Sequence, residues 1–290
     1  MRASLIVNPA AGGGRAARAL PGVQAELTRL GIEHHVERTD SLQHARELAR
    51  AAADAGETAV AFGGDGVIGA VADALKHSGG VLGVLPGGRG NDFARVLGIA
   101  LEPEAACSVL ATGQITELDL GEVASKTFLS IASCGFDSDA NRIANETRLV
   151  RGNLVYTYGA LRALIAWRPA RFEVSIDGGE PHVMLGYTVA VANSGAYGGG
   201  MLMAPNASVT DGRLDVVMVS HTSKLTFLRR LPTLFKGAHV RQREVQVLRG
   251  AEVRISADRA FTLYADGDPI AELPVTVRVL PAAVKVLVPA

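Results

Sequence analysis

Residues 59–66, Ala-Val-Ala-Phe-Gly-Gly-Asp-Gly, form a short apolar run ending in three glycines and one carboxylate. A run of this length, followed by glycines and then a helical pattern, folds as a buried strand that turns sharply into a helix. Such a turn exposes backbone N–H groups that no side chain screens, and the helix start aims its positive end at the same point. The loop is therefore expected to cradle a phosphate. Asp65 lies inside it, and a carboxylate repels a bare phosphate but suits one carried with a divalent cation, which points to ATP with Mg2+.

Two more glycine-rich turns follow strand-like runs: Asn8-Pro9-Ala10-Ala11-Gly12-Gly13-Gly14-Arg15 and Pro86-Gly87-Gly88-Arg89-Gly90-Asn91-Asp92. Short Val, Ile and Leu runs at 4–8, 58–62, 81–85 and 115–120 alternate with helical patterns such as 42–55. In that helix Ala45, Leu48, Ala49 and Ala52 form one stripe behind Ser41 as N-cap. The alternation predicts an α/β domain, a parallel sheet flanked by helices, over residues 1–122, with ligands at the carboxyl ends of its strands. Gly64 to Gly69 also matches G-x-G-x-x-G, but it lies outside the first βαβ unit and no acidic residue stands about 20 positions on.

Beyond residue 122 the pattern changes. Strand-like runs at 126–132, 171–177, 183–192, 213–219, 251–256, 260–265 and 274–288 predict a mainly antiparallel β domain over 123–290. Helical insertions are expected near 139–167 and 222–237, and the active site in the cleft between the domains. At 290 residues and 48% hydrophobic content the chain can fill two cores. Net charge is zero, with 10 Lys and Arg against 14 Asp and Glu in residues 1–121 and 19 against 15 in the remainder, so no nucleic-acid partner is expected. Cys107 and Cys134 lack metal spacing and read as buried small hydrophobes in a reducing, cytoplasmic setting. The seven histidines show no zinc pattern, and Asn206-Ala207-Ser208 is a chance glycosylation match.

Asn8-Pro9, Gly63-Gly64-Asp65-Gly66 and Pro86 to Ala94 together resemble the diacylglycerol kinase catalytic-domain family. This family includes soluble bacterial lipid kinases, sphingosine kinases and ceramide kinases, with NAD kinases and phosphofructokinases as distant relatives. The resemblance continues in order through Ala204-Pro205-Asn206, Asp211-Gly212-Arg213-Leu214-Asp215 and Asp266-Gly267-Asp268. It implies an ATP-dependent lipid kinase that passes the γ-phosphate of Mg-ATP to the hydroxyl of a diacylglycerol-like lipid. By the same resemblance Asn8, Pro9, Ala10, Ala11, Gly12, Thr39, Gly63, Gly64, Asp65, Gly66 and Val67 hold the nucleotide, with Arg89 and Asn91 beside its phosphates. Asp65 and Asp92 organise metal and water, Asp268 is the catalytic base, and Asp211 with the carbonyls of Ser208 and Arg213 holds a structural Mg2+.

The residues alone allow plainer roles. Thr39 reads as a cap or turn residue, Asn91 as the cap of the helix from Asp92 to Leu97, and Asp266-Gly267-Asp268-Pro269 as a β-turn. The chain also departs from the family pattern: Val67 stands for Thr, Gly69 and Ala70 for Asn and Glu, Arg89 for Thr, and Asp268 for Glu. Two alternatives follow, a nucleotide- or lipid-binding regulator with impaired catalysis and a small-molecule kinase related to NAD kinase.

From Val216 to Arg243 no acidic residue occurs, while Lys224, Arg229, Arg230, Lys236, Arg241 and Arg243 accompany Leu225, Phe227, Leu228, Leu231, Leu234 and Phe235. Residues 222–243 therefore read either as a peripheral contact with the inner face of a membrane or as a core-facing helix broken at Pro232 with a solvated basic face. Tyr156 to Trp167, with Tyr158, Leu161, Leu164 and Ile165, reads as a core stripe. Oligomeric state is open, a homodimer included.

Overall fold

A computed structural model describes residues 1–146 and 162–290. Four parallel strands form the N-terminal sheet in the order β2-β1-β3-β4: β1 (Arg2–Val7), β2 (Glu33–Arg38), β3 (Thr58–Gly63) and β4 (Val81–Pro86). β1, β3 and β4 are nearly continuous apolar runs because helices cover both faces. β2, Glu-His-His-Val-Glu-Arg, has no such run; it is the edge strand, half-exposed throughout, so its sequence carries little strand signal.

The covering helices are α1 (Ala11–Arg29), α2 (Leu42–Asp54), α3 (Asp65–Leu75), α4 (Asp92–Val96) and α5 (Pro103–Thr112). Ser41 caps α2 through a bond from the His44 amide, an arrangement that stabilises a helix by about 1 kcal/mol. Ala45, Ala49 and Ala52 of the same helix are buried.

The second half is an antiparallel assembly of β6 (Lys126–Phe128), β7 (Ile131–Gly135), β8 (Ala170–Ile176), β9 (His182–Ala192), β10 (Leu214–Ser220), β11 (Val245–Gly250), β12 (Glu252–Ala257), β13 (Thr262–Ala265) and β14 (Asp268–Glu272). β11 and β14, which the strand pattern does not predict, are half-exposed strands. α6 (Phe136–Glu146) follows β7, and α7 (Lys224–Arg230) leads into a 3-10 helix, Leu231–Lys236. The predicted helix near 139–167 thus falls partly outside the described residues. Of its apolar stripe, Leu164 and Trp167 are buried but Ile165 is 70% exposed, so that position is not core.

Two strands tie the halves together. β5 (Gln114–Val123) pairs along β15 (Val275–Val288), and β15 continues at one end into β12 and at the other into β4, with Lys285 beside Val81. One apolar core lies beneath the parallel sheet and a second inside the antiparallel half. Cys107 and Cys134 are free and buried, and burial pushes the Cys107 thiol up to about 12 and raises that of Cys134 well above the ordinary thiol range.

Candidate active site

The three glycine loops emerge at the carboxyl ends of β1, β3 and β4 and are stitched together by backbone. The Asn8 amide donates to the Phe62 carbonyl and the Gly87 amide to the Gly63 carbonyl at 2.7 Å. Their glycines permit mutual approach: a Cβ on Gly88 would lie 2.5 Å from Gly64 Cα, and one on Gly12 2.4 Å from the Gly87 carbonyl oxygen. The outer side stays clear, since a Cβ on Gly13 would meet nothing within 4 Å and Gly66 is exposed. Asn8 Oδ1 accepts from the Ala10 amide and fixes the first loop, with Pro9 and Ala10 exposed and Ala11 half-buried.

Asp65 opens α3, and its Oδ1 accepts the Phe93 amide at 3.1 Å, linking the second loop to the third. Asp92 is buried, and its carboxylate accepts from the amides of Gly199 and Gly200, at 2.8 and 2.7 Å in the nearest contacts. These glycines belong to the left-handed run Gly198-Gly199-Gly200, closed by the Tyr197–Met201 bridge. The turn is itself anchored, because the Tyr197 hydroxyl donates to Asp137. A Cβ on Gly90 would stand 3.2 Å from Asp92 Oδ2 and 3.4 Å from Asp65 Oδ2. Two carboxylate oxygens thus converge on a point that stays open because residue 90 has no side chain.

A third carboxylate approaches from the other half. Asp266 and Gly267 take positive φ at the tip of the β13–β14 hairpin, so the predicted turn forms. The Asp266 carboxylate turns inward, however, and accepts from the amides of Leu129, Ser130 and Ile131. The residue is exposed at the hairpin tip while its carboxylate is sunk against those amides. Burial raises its pKa to about 6 against the pull of the amides, and the negative charge of Asp65 pushes the same way. Burial also raises the Asp65 carboxyl, opposed by the Phe93 amide and reinforced by Asp92. Asp268 opens β14, exposed, its side chain without a hydrogen bond among the described residues.

Other predicted positions serve the loops themselves. Thr39 is buried, and its hydroxyl donates to the Ser41 carbonyl in its own turn. Asn91 does not cap α4: it sits at φ 51°, and its side chain accepts from the Gly88 amide and donates to the Gly88 carbonyl. Gly98 closes that helix at φ 69°. Val67 and Ala70 are buried in the core, and Gly69 faces Leu129. Arg89 is exposed within the third loop, its side chain with no partner among the described residues.

Ser208, half-buried, pairs its hydroxyl with Thr210; Asp211 and Arg213 are exposed, and Asp211 accepts the Arg213 amide. Arg249 lies against both Asp211 and Asp215, so a guanidinium supplies the positive charge at this carboxylate. Asp119 holds the adjoining turn by accepting from the amides of Gly212 and Ala282. Asp119 and Asp137 carry no motif-level signal as isolated acids, and Asp266 reads from sequence only as a turn residue within its motif; the Gly198-Gly199-Gly200 run is the one local sign of a close backbone approach.

Residues 2–123 match the Diacylglycerol kinase catalytic domain, and residues 130–288 the YegS C-terminal NAD kinase beta sandwich-like domain. The chain belongs to the diacylglycerol kinase family of lipid kinases. It is 37% identical to a diacylglycerol kinase of Mycobacterium tuberculosis, over 99% of this chain and 95% of that protein. The family fold is that of a Bacillus anthracis diacylglycerol kinase structure, with TM-score 0.77, 20% identity, and coverage of 99% of this chain and 96% of that one. An NAD kinase of Archaeoglobus fulgidus shares the architecture more distantly, at TM-score 0.53 and 14% identity, over 99% of this chain and 93% of that one.

Proposed function

We propose that this lipid kinase transfers the γ-phosphoryl group of Mg-ATP to the hydroxyl of a diacylglycerol-like lipid. The observation that carries this reading is the convergence of Asp65 and Asp92 on the open point at Gly90, within backbone loops whose outer side is unobstructed. Two neighbouring carboxylates, with burial raising the pKa of one, form a hard-oxygen donor pair whose repulsion a divalent cation relieves, so the residues present fit Mg2+. Asp65 and Asp92 would hold it, and when bound it would neutralise charge on the transferring phosphate.

The chain's own residues do the rest. First-turn amides of α3 and the loop from Asn8 to Gly12 bind and orient phosphate oxygens, and Arg89, exposed within the third loop, serves as a phosphate clamp in place of the family's Thr. Asp268 accepts the proton of the lipid hydroxyl, while Asp266 fixes the hairpin that presents it by holding three amides of residues 129–131. Ser208, Asp211 and Arg213 are proposed as a second magnesium site, where the cation competes with Arg249 for Asp211. Burial of Val67 and Ala70 argues against the impaired regulator, because side chains there pack beneath the loop rather than facing a phosphate. The relative named diacylglycerol kinase supports the lipid class.

Purified protein with radiolabelled ATP and Mg2+ is expected to phosphorylate diacylglycerol in preference to ceramide, sphingoid base, phosphatidylglycerol or NAD. Asp268→Asn should lower turnover by about 100-fold or more at unchanged melting temperature. No turnover on any lipid, or full activity of Asp268→Asn, contradicts the proposal.

A further inference from the structure

Among the described residues, the most concentrated unpartnered surface lies on α7 and the 3-10 helix that follows. Neither element has a buried residue. The segment attaches through Phe227, stacked on Tyr187 at 4.1 Å and edge-on to Phe136 at 4.9 Å, and through Leu234, whose carbonyl accepts the Leu202 amide. Leu231 is half-buried, and three large apolar groups point outward: Leu225 is 57% exposed, Leu228 45% and Phe235 59%. The core-facing alternative therefore applies to Phe227 and Leu234, with Leu231 half-buried, and not to the other three.

Residues distant in sequence extend this face. The His221 amide donates to the carbonyl of Leu185, which is 53% exposed, and Lys224 Nζ reaches the Ile165 carbonyl at 2.6 Å. The charge around these groups is cationic. Lys224, Arg229, Lys236, Arg241 and Arg243 are exposed, and the side chains of Arg229, Lys236 and Arg241 make no ion pair or hydrogen bond among the described residues. The nearby acid Glu244 is taken up by Arg230 and Arg243. The face also adjoins the cleft. Gly237 packs on Pro205 and Leu234 on Leu202, immediately after the Gly199–Gly200 turn that holds Asp92.

We propose that this face docks on an anionic lipid bilayer, with Leu225, Leu228 and Phe235 entering the headgroup boundary and Arg229, Lys236 and Arg241 meeting anionic headgroups. Large apolar groups within an unpaired cationic rim are complementary to that surface, whereas a protein partner would need acidic groups matched to each cation. The inference rests on the lipid-kinase reading for its purpose, since it sets the cleft against the phase that holds the acceptor.

The test is co-sedimentation of the full chain with phosphatidylcholine vesicles, without or with about 30 mol% phosphatidylglycerol. Binding is expected with the anionic vesicles alone, and should fall when salt rises from about 50 mM to about 500 mM. The double variant Arg229→Glu with Lys236→Glu should weaken binding by about 25-fold or more, at about fivefold per cation lost. Leu225→Ser with Phe235→Ser should weaken binding while leaving its salt response in place. Both variants should keep wild-type turnover on lipid dispersed in detergent micelles. Wild type that ignores anionic vesicles, variants that bind as well as wild type, or a wild-type dimer that Leu225→Ser with Phe235→Ser dissociates would each overturn the docking face. Absence of turnover on every dispersed lipid would refute the kinase reading instead, and the vesicle result would still decide the docking face.

Discussion

The two halves of the cleft are built by different means. On the N-terminal side backbone meets backbone: Gly88 lies against Gly64 and Gly12 against Gly87, so the site's shape follows from missing side chains. On the C-terminal side, side chains hold backbone. Asp266 gathers three amides, Asp119 holds Gly212 and Ala282, and Asp137 anchors the turn whose glycines grip Asp92. That half also carries the strain of burial: Asp137 and Asp266 are raised to about 6, and Asn193 Oδ1, Ser194 Oγ and Asp215 Oδ2 lack a partner among the described residues. Glycine contacts bring loops together without ionisable groups, Asp65 on the Phe93 amide being the exception on that side, whereas bringing them together with aspartates ties the geometry to protonation.

The sharpest way to break this contrast is to add one methyl group on the N-terminal side. Gly88→Ala places a carbon 2.5 Å from Gly64 Cα, where only backbone can yield. It should cost about 3 kcal/mol or more and abolish nucleotide binding. Gly13→Ala, in open space at φ 69°, should cost only about 1 kcal/mol. Thermal melts of the two check this, and equal losses would show that loop contact does not set the shape.

A smaller effect probes the C-terminal side. Burial raises the Asp137 carboxyl from 3.8 to about 6, against the hydrogen bonds from Tyr197 and Thr188. The folded state therefore holds this proton more tightly than the unfolded state. The resulting stability is complete below about pH 4 and is lost as pH rises through about 6, an effect of at most roughly 3 kcal/mol. Asp137→Asn, neutral at every pH, should flatten the decline in melting temperature between pH 4 and 7. An unchanged slope would remove Asp137 from the account.

The same contrast explains what the sequence made legible. Glycine loops after apolar runs mark the N-terminal half without tertiary context, because both strand burial and loop approach depend on local residue type. Only the polar edge strand β2 escaped. In the C-terminal half, Asp266 and Asp119 look like ordinary turn and strand acids until folding brings residues 129–131 or Gly212 alongside. Asn91 illustrates the limit within a motif: helix-start position suggested a cap, while left-handed backbone turned the side chain back onto Gly88.

The most direct test of the central claim is calorimetric titration of ATP, with and without Mg2+, into wild type and Gly90→Ala. The added carbon would occupy the point between Asp65 and Asp92 while both carboxylates and the surrounding loops remain. Wild type is predicted to bind ATP more tightly with Mg2+, and Gly90→Ala to lose that gain at an unchanged melting temperature. An identical magnesium-dependent gain in both proteins would contradict the claim that these two aspartates hold the nucleotide's metal.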